Sequence, residues 1–533
     1  MYKPRIEVVF GNERIISPSG LNIVGAMLGK SDFKKRCDRR KVDPKRSQPQ
    51  IKDGDILLTY IGLLTLGKTA YDSVHEFDDD PDYFQNALGI AREIPSAETI
   101  RQRMDDIGDS LRANLLDANV DMFVAHSVSP SALPGGEVPV DMDVTPFDNS
   151  KTMKEGVSRT YKGFDGFAPM VAYVGTEGFM ANIELREGKQ HCQAHTPEFL
   201  KETLSVAHRM APDKPLLIRM DSGNDAAENL GILIEDGSWF IVKRNPRKES
   251  KEGWLNELKG CCKDIRHPRP GKDVYVGTTW KDVTYKNSSG ETKTMGMRIV
   301  YEIIERTIDK HGQILMIPDI ELNMFWTNLG WSDDDVIASY HAHGECEQYH
   351  SELKTDIDVE RFPSGKFATN ALVLELAMIA FNLLRMIGQE SLKHKQPTKR
   401  KVRRRRLRTV IENLMLCASH FTKHARRMIM ALGCSNTWRH AFGVSGSGLP
   451  LHSSVTSAES SGGALFGLPF WRLLLNGRWK LVSQSSATGR WNEFHGFREL
   501  FNIFLIFLKQ IRANLPIPCC TSVALRFVYY YID

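Results

Sequence analysis

Residues Tyr340–Lys354 read YHAHGECEQYHSELK. Laid on a helix at about 100° per residue, Tyr340, His343, Glu347 and Lys354 fall at about 0°, 300°, 340° and 320°, an arc roughly 60° wide. A ring, an imidazole, a carboxylate and an ammonium along one stripe make a poor face for burial. They suit a helix that presents one metal-binding oxygen between groups able to hold phosphate. A solvated amphipathic helix carries the same pattern, so its meaning depends on what the chain holds elsewhere.

Two upstream segments supply carboxylates in strand contexts. In residues 137–148, EVPVDMDVTPFD, Val138, Val140, Met142 and Val144 alternate with Pro139, Asp141 and Asp143, the period of a strand. Two acids on one face of a buried strand are costly unless they are paired or bind metal. Residues 215–225, PLLIRMDSGND, run an apolar strand into Asp221 and then into Ser222, Gly223 and Asn224, a turn that can open a helix. Open α/β sheets place their chemistry at such strand ends. Asp225 is the alternative acid there, and solvated strand ends are the alternative for both segments. From Asp143 to Asp221 is 221 − 143 = 78 residues, and from Asp221 to Glu347 is 347 − 221 = 126, room for an inserted subdomain.

The spacing Tyr, two residues, a basic side chain, three residues, Glu, six residues, Lys resembles the glutamate signature of DDE transposases of bacterial insertion sequences (DDE domain group 1). His343 stands where Arg is usual, and Gly344 and Glu352 also match. The Asp-x-Thr motif matches at Asp143 and Thr145. This resemblance implies an α/β fold: a ribonuclease-H-like catalytic core interrupted by a β-rich insertion, with a helical N-terminal DNA-binding region. It implies Asp143, Asp221 and Glu347 as catalytic residues holding two Mg²⁺ ions, with Mn²⁺ as a substitute, and Asp141 as a neighbour. Three carboxylates fit because two hard cations about 3.5–4 Å apart need oxygen ligands while leaving positions for phosphate and water.

By the same resemblance, Tyr340, His343 and Lys354 contact DNA. The partners are double-stranded DNA, both terminal inverted repeats and target, and a second copy in a synaptic homodimer. The reaction is cut-and-paste transposition, with no protein nucleophile. Histidine offers fewer donors than arginine and titrates near neutrality. The substitution at His343 therefore implies weakened activity that rises at lower pH and improves in His343→Arg. Two other functions stay open: a catalytically impaired relic that binds inverted repeats as a repressor, and a ribonuclease-H-like nuclease that cuts without joining.

Composition is that of a large globular enzyme, 41% hydrophobic and 25% charged over 533 residues. No apolar stretch reaches the roughly 18 residues of a membrane span; the longest candidate is Phe501–Leu508. The N-terminus MYKPRIEVVF lacks signal-peptide architecture, so no membrane partner and a cytoplasmic, nucleoid-associated location in a bacterium are expected. Nine cysteines include no CxxC pair, and His191, Cys192 and His195 read as turn residues. Charge is uneven. Residues 391–533 hold 22 Lys+Arg against 5 Asp+Glu, leaving 48 against 60 for residues 1–390. The run 393–408 has ten basic residues and no acid, so Arg403, Arg404, Arg405 and Arg406 are expected on phosphate.

The organisation expected is a mostly helical DNA-end-binding region at 1–130, beginning with a strand at IEVVF. In it Ser96 caps a helix bearing Arg101 and Arg103, in the manner of a helix-turn-helix reader. The catalytic core covers 137–243 and 336–390, and the β-rich insertion covers 244–335. Within the insertion Trp326 is read as a core side chain, with stacking on a flipped base as the alternative. A basic helical region follows at 391–433, where IENLMLCASHFTKHARRMIMALG exposes Lys423, Arg426 and Arg427. An atypical, possibly read-through tail occupies 434–533.

Overall fold

A computed structural model describes residues 10–40, 49–393, 402–424, 427–439 and 441–442. After a two-residue strand β1 (Ile15–Ile16) come α1 (Leu21–Lys30), α2 (Phe33–Asp38), α3 (Asp53–Leu64), α4 (Pro81–Leu88), α5 (Ala97–Ile107) and α6 (Arg112–Ala125). Ser96 caps α5, its Oγ accepting from the Thr99 N–H at 3.2 Å, which satisfies a donor the helix cannot. Every residue of α3, DGDILLTYIGLL, is buried; its two acids are paired, Asp53 with Arg40 and Arg103 and Asp55 with Lys34. The strand expected at IEVVF lies, except for Phe10, outside the described residues.

The next elements, which include the two strands read from the sequence before Asp143 and Asp221, are β2 (Val138–Val144), β3 (Phe147–Asp148), β4 (Ser158–Arg159), β5 (Asp165–Phe167), β6 (Met170–Val174), β7 (Phe179–Glu184), α7 (Thr196–Met210), β8 (Leu216–Met220), α8 (Ala227–Asp236) and β9 (Trp239–Lys243). Strand β2 pairs antiparallel with β6 and parallel with β8, and β8 pairs parallel with β9. The centre of the sheet is therefore parallel and buried on both faces, which is why its strands read as apolar runs.

The segment expected as a β-rich insertion, 244–335, is rich in strands and extends this sheet. It contains α9 (Lys251–Lys259), β10 (Asp264–Arg269), β11 (Lys272–Lys286), β12 (Thr292–Ile308) and β13 (Ile314–Thr327). Phe325, Trp326 and Thr327 pair with Lys243, Val242 and Ile241. These strands thus form one nine-stranded sheet, β10-β11-β12-β13-β9-β8-β2-β6-β7, with β3, β4 and β5 in a separate three-stranded sheet. Gly290, at φ 82°, takes the left-handed conformation that lets the β11–β12 hairpin turn.

Next come α10 (Asp333–Ala342), a tight 3₁₀ turn at His343–Glu345, α11 (Cys346–Ser351), a wide π turn at Glu352–Asp356 and α12 (Phe367–Leu392). Helix α12 lies against β7. The Asn382 Oδ1 accepts from the Met180 N–H, and its Nδ2 donates to the Met180 carbonyl and to Asn119, both at 2.8 Å. By length and composition α12 could cross a membrane, which corrects the expectation that no such stretch exists. Its most apolar window is 94% buried inside the protein.

The helix expected over 411–433 is a hairpin instead. After α13 (Leu407–Val410) and a π turn at Ile411–Met415 come β14 (Ser419–His424) and β15 (Arg427–Leu432). Cys417, Ser419 and Phe421 are buried while their neighbours are more exposed, a period of two that overrides local helix propensity. Strand β14 pairs with β1, tying this region to the N-terminal helices. Lys423 is exposed, and Arg426 lies outside the described residues. Met1–Ser454 form one compact unit; most of the expected tail at 434–533 lies outside the described residues.

Candidate active site

Register on the central strands sets the site. Asp141 of β2 lies directly across from Arg219 of β8, and Met142 across from Met220. One step further come Asp143, near the end of β2, and Asp221, just past the end of β8, close enough for the Asp143 charge to act on Asp221. One row thus joins opposite charges and the next juxtaposes like charges.

The first row is closed. Arg219 grips Asp141 with two parallel bonds, Nε to Oδ1 at 2.6 Å and Nη2 to Oδ2 at 2.8 Å. The Arg219 Nη1 donates to the Ser339 carbonyl at 2.7 Å, and His343 Nδ1 meets Asp141 Oδ1 at 2.8 Å. Burial would raise the Asp141 carboxyl, but Arg219 and then His343 hold it below the ordinary range. Burial would lower the His343 imidazole, and Asp141 raises it above its usual value instead.

The second row is open. Burial, and then the Asp143 charge, push Asp221 above the ordinary carboxylate range. Its Oδ1 accepts from the Gly223 N–H at 3.0 Å and from Asn224 Nδ2 at 2.9 Å. Burial would also raise Asp143, but His350, with Nε2 at 3.4 Å from Oδ2, brings it below the usual value. Glu347 is exposed and, among the described residues, has no hydrogen bond or ion pair. Tyr161, largely exposed, lies near all three acids: burial and then the charges of Asp143, Asp221 and Glu347 push its phenol up to about 12. Three carboxylates, two mutually repelling and one unpartnered, are a donor set for hard cations.

The single stripe expected from Tyr340 to Lys354 does not survive. The 3₁₀ turn at His343–Glu345 and the π turn at Glu352–Asp356 break the 100° period. Tyr340 packs on Phe325, ring centroids 4.6 Å apart. His343 is 6% exposed and faces Asp141, so its expected role as a phosphate brace is corrected to a buried partner of Asp141. Lys354 donates to the Pro146 carbonyl at 2.7 Å and lies near enough to Asp143 and Glu347 to feel their charge. Thr145 is buried and its N–H donates to the Pro169 carbonyl.

The expected DNA-contacting arginines divide. Arg103 is held by Asp53, and Arg405 is 5% exposed with Trp438 against its guanidinium. The first correction follows from ion pairing and the second from burial. Arg404 pairs with Glu352, which also holds the buried Arg385 at 2.7 Å, and Arg406 pairs with Asp356. Arg101 is exposed beside Glu98, and Arg403 is exposed. Trp326 is 6% exposed and donates from Nε1 to Asp225 at 2.9 Å, which fits the core reading and not base stacking.

Four residues of the site escaped the sequence reading: Arg219, Tyr161, Cys346 and His350. Arg219 is a charge inside an apolar strand, a signal in itself. Cys346 and His350 stand four apart on one helix, the spacing that puts two side chains on one face. The family model for the transposase DDE domain group 1 matches residues 1–446. The chain belongs to the DDE transposases. No curated protein matches this transposase. A piggyBac transposase synaptic complex with hairpin DNA, solved by cryo-electron microscopy, is similar at 10% identity and a TM-score of 0.34, over 75% of this chain and 79% of that one.

Proposed function

We propose that this transposase cuts DNA at the terminal inverted repeats of its own insertion sequence and joins the freed 3′ ends to target DNA. Asp143, Asp221 and Glu347 are the catalytic carboxylates of a ribonuclease-H-like core. The observation that carries this reading is the pair Asp143 and Asp221 at the ends of two neighbouring parallel strands, close enough to feel each other's charge, with the exposed Glu347 on the signature helix. The pairings around it, β2 antiparallel to β6 and parallel to β8 and β8 parallel to β9, support the core assignment.

These three residues would hold two divalent cations, Mg²⁺ by preference or Mn²⁺. Such ions supply charge neutralisation for the scissile phosphate and the attacking oxygen. The protein's part is positioning. Gly223 and Asn224 fix the Asp221 carboxylate, His350 fixes Asp143, and the Arg219–Asp141–His343 group beneath them locks the two strands and the signature helix together. Lys354, half-buried beside Asp143 and Glu347, places a positive charge where the substrate phosphate must come. Water releases a 3′-hydroxyl at the element's end, and that hydroxyl attacks a target phosphodiester. DNA supplies both the nucleophile and the leaving group. Synapsis of two ends calls for a homodimer, acting in the cytoplasm on nucleoid DNA of a bacterial host, with no membrane partner.

The test is a plasmid carrying the gene's own flanking DNA, incubated with protein and Mg²⁺ or EDTA, alongside Glu347→Ala. Metal-dependent cuts at discrete flanking positions, absent with Glu347→Ala, are expected. Cuts that persist in that variant, or binding without cutting, would defeat the proposal.

A further inference from the structure

Cys346 Sγ, His350 Nε2 and the Asp143 Oδ2 lie within 4.8 Å of one another, a group of potential metal ligands that the carboxylate chemistry does not use in full. The sulfur is 3.9 Å from Asp143 Oδ2 and the ring nitrogen 3.4 Å from the same oxygen. A tetrahedral zinc with bonds of about 2.3 Å to sulfur and about 2.0 Å to nitrogen and oxygen sets sulfur and oxygen about 3.5 Å apart and nitrogen and oxygen about 3.3 Å apart. Both distances to Asp143 Oδ2 are therefore within about 0.4 Å of those such an ion sets.

The surroundings also suit one. Cys346 is 1% and His350 6% exposed, while the Asp143 side chain is 22% exposed and opens the group to solvent. The Tyr173 hydroxyl lies 3.1 Å from His350 Nδ1. Accepting the Nδ1 proton there, it leaves the Nε2 lone pair free to bind, the arrangement that orients ligating histidines in metal proteins. We propose that Asp143, Cys346 and His350 form a binding site for a thiophilic divalent cation of the zinc class. Binding exchanges the Cys346 thiol proton and the His350 Nε2 proton that faces Asp143 for the metal and releases both to solvent; Asp143 stays ionised. A soft thiolate and an imidazole favour such an ion over Mg²⁺, which prefers an all-oxygen shell.

One consequence rests on the reading of Asp143 as a catalytic carboxylate: an ion held here engages that carboxylate and should compete with Mg²⁺ for it. Binding itself does not depend on that reading. It is tested by titrating the full-length protein with Co²⁺ in excess Mg²⁺ and recording the thiolate-to-cobalt charge-transfer band. One equivalent of band, displaced by Zn²⁺, is expected in the wild type. Cys346→Ser and Cys346→Ala should lose it, and Cys262→Ser should keep it. Tyr173→Phe should keep it with about tenfold or greater loss of affinity. A wild type without the band, or a Cys346→Ser protein that retains it, overturns the proposal. If the band appears as expected but Zn²⁺ leaves Mg²⁺-dependent cutting unchanged, the metal site stands and the shared use of Asp143 falls.

Discussion

Asp141 and Asp143 are two residues apart on one strand face, yet their removal should have opposite consequences. Asp141 is fully committed: Arg219 holds both its oxygens, His343 one of them, and the paired side chains are only 5% and 6% exposed. Asp141→Ala would strand a guanidinium and an imidazole in a dry interior. Removing one partner of a buried pair costs about 3–5 kcal/mol, and solvent cannot screen the loss at this depth. Asp143 faces Asp221 and a partly exposed edge, so Asp143→Asn removes a repulsion along with the His350 contact. The two nearly offset, leaving a change of about 1 kcal/mol or less. In urea denaturation with a slope of about 3 kcal/mol per molar, the variants should differ in midpoint by about 1 M.

Cutting activity should vanish in Asp143→Asn even though the protein stays folded. The pH dependence has a defined sign. Asp141 is depressed in the folded chain, so its contribution is present above the ordinary aspartate value and is lost as pH falls through the lower, folded one. The stability gap between wild type and Asp141→Ala should therefore shrink in acid. Equal denaturation midpoints for Asp141→Ala and wild type, or a larger loss in Asp143→Asn, would refute the assignment of a structural role to one acid and an open role to the other.

Three further outcomes follow. His343→Arg should not raise activity: it sets a second guanidinium against Arg219 in a buried site, so thermal stability and cutting should both fall, and a more active variant would restore the phosphate-brace role. Glu375, whose side chain is 5% exposed and whose Oε2 has no hydrogen bond, is pushed by burial from 4.5 to about 7 despite Arg112. Its stabilising contribution is complete below about pH 4.5 and lost as pH rises through about 7, a span worth on the order of 3 kcal/mol. Glu375→Gln should then gain on wild type at pH 8 and not at pH 4, read by denaturation at both. Arg403→Ala should lower the dependence of log K for DNA on log salt by about 0.9 if it meets one phosphate. Arg405→Ala should leave that slope unchanged and lower the melting temperature.

The strands of the core were legible because burial on both faces leaves an apolar run between turn residues, and Asp143 and Asp221 stand at the ends of such runs. The site's second half was not, because a helical wheel assumes one period. A 3₁₀ turn and a π turn on either side of α11 rotate His343 inward and leave Glu347 facing out. Charge counting misled for a related reason. Residues 403–408 look like a phosphate-binding run, but Glu352 and Asp356 from the π turn reach Arg404 and Arg406 across some fifty residues of chain, and a sequence does not display partners so far apart. The same two acids also draw the basic segment onto the helix that carries Glu347. Much of the positive charge in this stretch thus helps hold the signature helix in place, while Arg403 stays exposed.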